Sequence, residues 1–285
     1  MRTAHQWFLT EYTNGNILFQ FDTAHMFLNE SEFDPPKLVS SKKTESSLGF
    51  PTAIHTLTES FRGTDHTIGH IQQNELVFYY EIASSIPRIE ALYLSSGRRI
   101  TRLVNASKAP LYNDPNRSPD RYISSIDLEI DQSALWATYK QPDGSELTVS
   151  KMSPHSLKET GKWHLSELNT TGLLNTFVAC GTLYTVRMDS NRYNPRSKEI
   201  RKRFSDIGKA NSTMVPTEWV SVQPAFEFRS SRYVGQNWQN NRHAVSGWFS
   251  YGAVSNVQYD SQTDSLNVFD YGHIYTISMK RKRFA

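Results

Sequence analysis

Residues Leu173–Val186 read LLNTFVACGTLYTV, the most apolar run of the chain. Asn175, Thr176, Cys180 and Gly181 interrupt it, so it lacks the roughly 18 unbroken apolar residues of a membrane span. Its second half carries a signature that recurs: a turn or polar residue, a small one, then a Leu-aromatic strand. Gly181-Thr182-Leu183-Tyr184 is matched by Asn74-Glu75-Leu76-Val77-Phe78, Ser133-Ala134-Leu135-Trp136 and Asp264-Ser265-Leu266-Asn267-Val268-Phe269. Asn14-Gly15-Asn16-Ile17-Leu18-Phe19 is a looser fifth copy. Five copies in 285 residues leave 57 residues per unit, room for a four-stranded blade and a long loop. A β-sandwich also repeats hydrophobic strands, so the repeat favours a propeller without compelling it.

Outward from these copies the periodicity stays strand-like. Glu75–Ile82, Ile89–Leu94, Ala134–Lys140, Leu147–Met152 and His273–Met279 are rich in Val, Ile, Leu, Thr and aromatic residues. Gly, Asn, Asp, Pro and Ser clusters bound them, with Ser95-Ser96-Gly97 and Gln141-Pro142-Asp143-Gly144 the clearest turns. No segment carries convincing helical spacing, apart from a short excursion at 197–207. The chain reads as all-β and as one domain over 1–285. Asn29–Pro51 and Ser190–Pro216 are elaborated loops, and 280–285 is a basic tail.

Lys and Arg number 31 against 28 Asp and Glu, a net charge of +3. That near balance argues against a nucleic-acid binder, whose basic residues would dominate and cluster. The basic stretches at Lys198–Arg203 and from Lys280 onward leave a glycosaminoglycan-binding module as one alternative. The start, MRTAHQWFLTEYTNGN, holds no apolar segment of roughly 7–15 residues, so no secretion signal is read there. One cysteine, Cys180, allows no internal disulfide, and composition alone suggests a reduced, buried thiol in an inert mid-strand position.

A further series decides between these readings. Ser125-Ile126-Asp127-Leu128-Glu129-Ile130-Asp131 is followed by Trp136, Val149–Pro154 and Trp163. Then come Asn175–Tyr184, Asn256–Tyr259, Phe269-Asp270 and Gly272-His273. In this order and spacing the chain resembles the olfactomedin domain, the extracellular module of myocilin, gliomedin, latrophilin and noelin-type proteins. Upstream, Phe61-Arg62-Gly63-Thr64-Asp65-His66 is similar to the family's glycine-threonine-glycine-histidine stretch, with Asp65 in place of the second glycine.

The resemblance implies a five-bladed β-propeller in which a strand from the chain's start closes the last blade. Residues 1–11 hold the candidate, with Trp7–Tyr12 expected beside His273–Met279. It also implies a metal site in the central channel, formed by the Asp127 carboxylate, the Asn175 side chain, the Thr176 and Val257 carbonyls, and position 258. Calcium-binding members have aspartate at that last position; here it is Gln258. Calcium affinity rises with the number of anionic oxygens, so calcium is expected to bind weakly or not at all. Sodium, water or a hydrogen-bond network then takes its place around Asp127, and a cation near that buried carboxylate is expected. In the family Cys180 would pair with a second cysteine, which this chain does not contain.

Function follows on the same footing. The resemblance implies a non-catalytic, extracellular protein-recognition domain, secreted or part of a membrane-anchored protein, multimerising through regions outside it. Acceptor sequons at Asn29, Asn105, Asn169 and Asn211, with a poorer one at Asn116 before Pro119, agree with a secreted setting. The enzyme alternative is a glycan-processing propeller. It needs two carboxyl groups, and Asp127 is the one acid the resemblance places in the channel. His66, His70 and His243 have no nucleophile or metal spacing around them, so no catalytic set is assigned.

Overall fold

In a computed structural model the described residues form β-strands as their only regular elements. The structure describes residues 6–11, 14–22, 27–29, 43–47, 50–71, 75–112, 124–131, 133–144, 146–193, 218–234, 246–250, 254–270 and 273–279. The basic stretch 198–203, the tail 280–285, Asn116, Asn211 and His243 lie outside these.

The first strands are β1 (Gln6–Thr10), β2 (Asn14–Asp22), β3 (Phe27–Asn29), β4 (Lys43–Ser47) and β5 (Ala53–Arg62). Blade one is the antiparallel sheet β1-β2-β5. Blade two runs β6 (Thr67–Ile71), β7 (Glu75–Glu81), β8 (Arg88–Tyr93) and β9 (Arg99–Leu103). Blade three runs β10 (Ile126–Ile130), β11 (Leu135–Lys140), β12 (Leu147–Met152) and β13 (Glu159–Leu165). Blade four is β14 (Leu173–Ala179), β15 (Thr182–Tyr193), β16 (Glu218–Glu227) and β17 (Arg232–Tyr233), with β18 (Ser246–Ser250) also on β16. Blade five begins with β19 (Val254–Asp260), β20 (Ser265–Asp270) and β21 (His273–Ser278), and β4 and β3 complete it. The five sheets form a five-bladed propeller. β10 touches β6 and β14, and β14 touches β19, around its axis.

Each blade is buried on both faces, which explains why its strands are continuous apolar runs rather than alternating ones. On β7, Val77 and Tyr79 face blade three, while Phe78 and Tyr80 pack against Phe8, Leu18, Leu57 and Phe61 of blade one. On β11, Leu135, Ala137 and Tyr139 face blade two, and Trp136 faces blade four. Blades four and five meet at Phe177, Val186, Val257 and Tyr259. Trp7, Phe21 and Ile274 join blades five and one. Five apolar seams thus separate five blades.

The closing strand differs from the expectation. β1 pairs with β2, in register Trp7↔Phe21, and not with β21. The partner of β21 is β4, with Tyr275 opposite Glu45. The expected loop 29–51 therefore holds a strand of the last blade. Trp7 and Phe8 are buried at 3% and 0% exposure, so β1 belongs between two apolar seams. β4, with the polar sequence KTESS, lies between β21 and β3 in the blade-five sheet.

Candidate functional site: a buried carboxylate cluster in the channel

Asp127 on β10 is buried among donors. Thr176 of β14 gives its Oδ2 a backbone N–H at 3.2 Å and a hydroxyl at 2.8 Å. The Tyr112 hydroxyl, from the connection between blades two and three, donates to the same oxygen and lies 2.8 Å from Thr176 Oγ1. A strand residue's N–H and C=O leave the same edge, so the Thr176 carbonyl faces the channel as its N–H does. Tyr259 N–H on β19 reaches Glu129 Oε1 at 3.2 Å. By the same parity Val257, two residues earlier, turns its carbonyl to the channel.

The structure brings a second carboxylate to this place. The Gly63–His66 loop before β6 is held by Ser124 Oγ, which accepts from Thr64 N at 2.8 Å and Asp65 N at 3.2 Å. Asp65 Oδ1 accepts from Asn175 Nδ2 at 3.1 Å. Gln258 Nε2 donates 2.8 Å to the His66 carbonyl, and Thr64 Oγ1 donates 2.7 Å to the Ser255 carbonyl. Both departures from the family pattern, Asp65 and Gln258, therefore meet on one loop.

Asp127 is thus not the lone acid expected in the channel: Asp65, Asp127 and Glu129 are all buried there. Burial first, and the Asp127 charge second, hold the Asp65 and Glu129 carboxyls well above the usual range. Burial also raises Asp127, to about 6, against the opposing pull of its bonds to Tyr112 and Thr176. Among the described residues no lysine or arginine pairs with any of the three. Burial pushes His66 down to about 3, and its ring lies edge-on between Phe61 and Phe78 at 5.0 and 5.7 Å. It adds no positive charge. Asn175 Oδ1 is buried without a hydrogen-bond partner. Among the described residues no three His, Cys, Asp or Glu side chains form a metal-binding group by themselves.

Sequence reasoning missed Asp65 as a channel residue, together with Glu129 and Tyr112. Glu129 had a signal, since it lies two residues from Asp127 on one strand and so shares its face.

Cys180 is also placed differently. It is exposed in the β14–β15 turn, not inert within a strand. Asn105 and Asn169 are exposed, while Asn29 lies on β3.

The sequence as a whole matches the olfactomedin-like domain over residues 1–283. The chain belongs to the olfactomedin-like domain family. Rat (Rattus norvegicus) myocilin is 25% identical over 150 residues, 51% of this chain and 28% of that protein. Human olfactomedin-like protein 3 is 27% identical over 160 residues, 55% of this chain and 32% of that one. Human adhesion G protein-coupled receptor L1 is 27% identical over 143 residues, 48% of this chain and 9% of the receptor. The olfactomedin chain thus matches less than a third of each of these relatives. A solved exo-β-1,3-galactanase from Phanerochaete chrysosporium matches 97% of this chain and 60% of that one, at a TM-score of 0.38 and 10% identity. That likeness is too low to bear on chemistry. No helix among the described residues is long and apolar enough to cross a membrane.

Proposed function

We propose that this olfactomedin domain is a non-catalytic recognition module that works outside the cell, secreted or carried by a membrane-anchored protein. It engages another extracellular protein through a propeller face, as the adhesion-receptor relative suggests by its name. One observation carries the reading: the channel acids are buried. Asp65, Asp127 and Glu129 are 4%, 5% and 6% exposed. Exposed Asn105 and Asn169 are then glycan acceptors.

Glycoside hydrolysis is the second reading, favoured because Asp65 and Asp127 do share a site and that reaction needs two carboxyl groups. A substrate would have to reach them through packed side chains. One experiment separates the two. The tetramerised 285-residue chain is applied to an array of cell-surface and secreted proteins, and in parallel to aryl glycosides and oligosaccharides. Saturable binding to an extracellular protein without turnover is expected. Hydrolysis lost in Asp127→Asn would overturn the proposal. Retention on heparin only below physiological salt would set aside the polyanion alternative, because multi-charge binding persists above it.

A further inference from the structure

We propose that a cleft between blades two and three, lined by none of the channel acids, binds a neutral mono- or disaccharide. The cleft has a volume of about 410 Å³, within the roughly 300–1,000 Å³ of small-ligand sites. The end of β6 supplies His70 and Ile71, and the β10–β11 turn supplies Asp131 and Ser133. Met152 ends β12, and the turn after it brings Pro154 and His155.

That turn is a wall fixed in advance. It belongs to blade three, yet two tyrosines of blade two hold it. The Tyr79 hydroxyl donates to the Pro154 carbonyl at 2.9 Å, and the Tyr93 hydroxyl to the His155 carbonyl at 3.3 Å. Leu157, in the same turn, is fully buried in the seam between these blades and has φ +55°. Left-handed backbone is costly for a branched side chain and persists where the surroundings over-determine it. Here the buried leucine and the two tyrosine bonds do so, and the turn is tied across the seam to the edge of the cleft.

The lining decides the ligand. Asp131 is its one acidic side chain, and both carboxyl oxygens are engaged. Oδ1 accepts from Ser133 N at 2.7 Å, Ala134 N at 2.8 Å and Ser133 Oγ at 2.9 Å, and Oδ2 accepts from Trp136 Nε1 at 2.8 Å. No lysine or arginine lines the cleft. A charged ligand would therefore lose its hydration without gaining a counter-charge. What remains is neutral and mixed: His70 and His155 beside the Ser153 hydroxyl, with Ile71, Met152 and Pro154 as an apolar patch. A neutral imidazole offers one donor and one acceptor, and a hydroxyl offers both. A sugar ring presents the same combination, hydroxyls at its edge and C–H groups on its face. A wholly apolar ligand would leave the polar groups unpaired.

The test is saturation-transfer NMR on the 285-residue chain with free galactose, glucose, mannose, N-acetylglucosamine and their disaccharides. Sialic acid and glucosamine serve as the anionic and cationic arms. At least one neutral sugar is expected to bind with a Kd near ~1 mM or tighter, and more tightly than either charged arm. His70→Ala and His155→Ala are each expected to weaken it roughly fivefold, the worth of one lost hydrogen bond. His164→Ala, on the outer strand β13 of blade three, should leave it unchanged. No neutral sugar bound at about 10 mM, or a preference for a charged arm, overturns the proposal, as does binding indifferent to both histidine substitutions. The first two outcomes need no variant, so they decide even where a substitution unfolds the chain. The probes are free sugars, and the result stands apart from whether a protein partner is found.

Discussion

The five seams between blades and the channel at their centre are both buried, yet they are built on opposite rules. A seam is apolar and two-sided. Phe177 stacks on Tyr184 at 5.0 Å and 4° and faces Tyr259 at 6.1 Å, while Trp136 stacks on Phe228 at 4.6 Å and Trp163 packs tilted against both at 4.7–6.0 Å. Its stability comes from area and packing density, to which every ring contributes. The channel holds named polar atoms in named bonds, and one acid more or less changes its charge without changing its volume. Seam residues thus set how stable the propeller is, and channel residues set which polar groups meet at its axis.

Removing a seam ring is the largest perturbation. Phe177 is 1% exposed, and Phe177→Ala is expected to cost about 3–5 kcal/mol, chiefly as lost transfer energy and a residual cavity. Denaturant unfolding measures it. A cost near 1 kcal/mol would mean that the seam collapses around the gap and that packing there is loose.

The second prediction joins the two regions. Gly63 has φ +82°, and a Cβ on it would lie 1.9 Å from Ser124 Oγ and 2.6 Å from Ser124 Cα. Ser124 Oγ is the atom that holds Thr64 and Asp65. Gly63→Ala is expected to cost about 2–3 kcal/mol through backbone strain and overpacking. It should also displace the Asp65 loop, so loss of stability and loss of the Asp65–Asn175 and His66–Gln258 contacts should appear together in a structure of the variant. Their separation would show that the loop does not position Asp65.

What could be read from the residues divides along the same line. Seams are statistical objects: the runs at Glu75–Ile82 and Ala134–Lys140 show strands buried on both faces, and five copies give five blades. β4 escapes that logic, because KTESS carries no apolar pattern by which a strand could be read. The channel is geometric. Asp127, Asn175, Thr176, Val257 and Gln258 were visible through family resemblance. Asp65 stood out as a departure from glycine whose meaning required knowing that its loop meets Gln258 across 192 residues of sequence. Tyr112 lies in a connection, and no periodicity announces where such a residue points.

A buried acid outside the channel separates charge from position. Glu81 at the end of β7 accepts from Ser125 N at 2.8 Å and Ile126 N at 3.1 Å, tying blade two to the first strand of blade three. Burial raises its carboxyl above the ordinary value. The folded chain therefore binds this proton more tightly than the unfolded one. The stability it contributes is complete below the unfolded carboxyl range, near 4.3, and is lost as pH rises through the higher folded value. Gln keeps an acceptor for both amides and does not titrate. Glu81→Gln should stay within about 1 kcal/mol of wild type near pH 5, and its melting temperature should gain on wild type between pH 5 and 8. A difference that shrinks over that range would show that the charged form is the one the fold favours.

The smallest effect lies farthest from both regions. Cys180 and Gly181 have φ +52° and +76°, the sign pattern of a type I′ turn, for which Asn-Gly is the preferred pair. Cysteine has no side-chain oxygen to bond locally and bears a Cβ penalty that asparagine tolerates better. Cys180→Asn is expected to stabilise the β14–β15 hairpin by about 0.5–1 kcal/mol, visible as a rise of a degree or two in melting temperature. Because the thiol is exposed, it should react with a thiol reagent in the folded protein, without waiting for unfolding. Reaction at the unfolding rate would instead place this turn under the same protection as the seams. The position would then be held by packing that its exposure does not express.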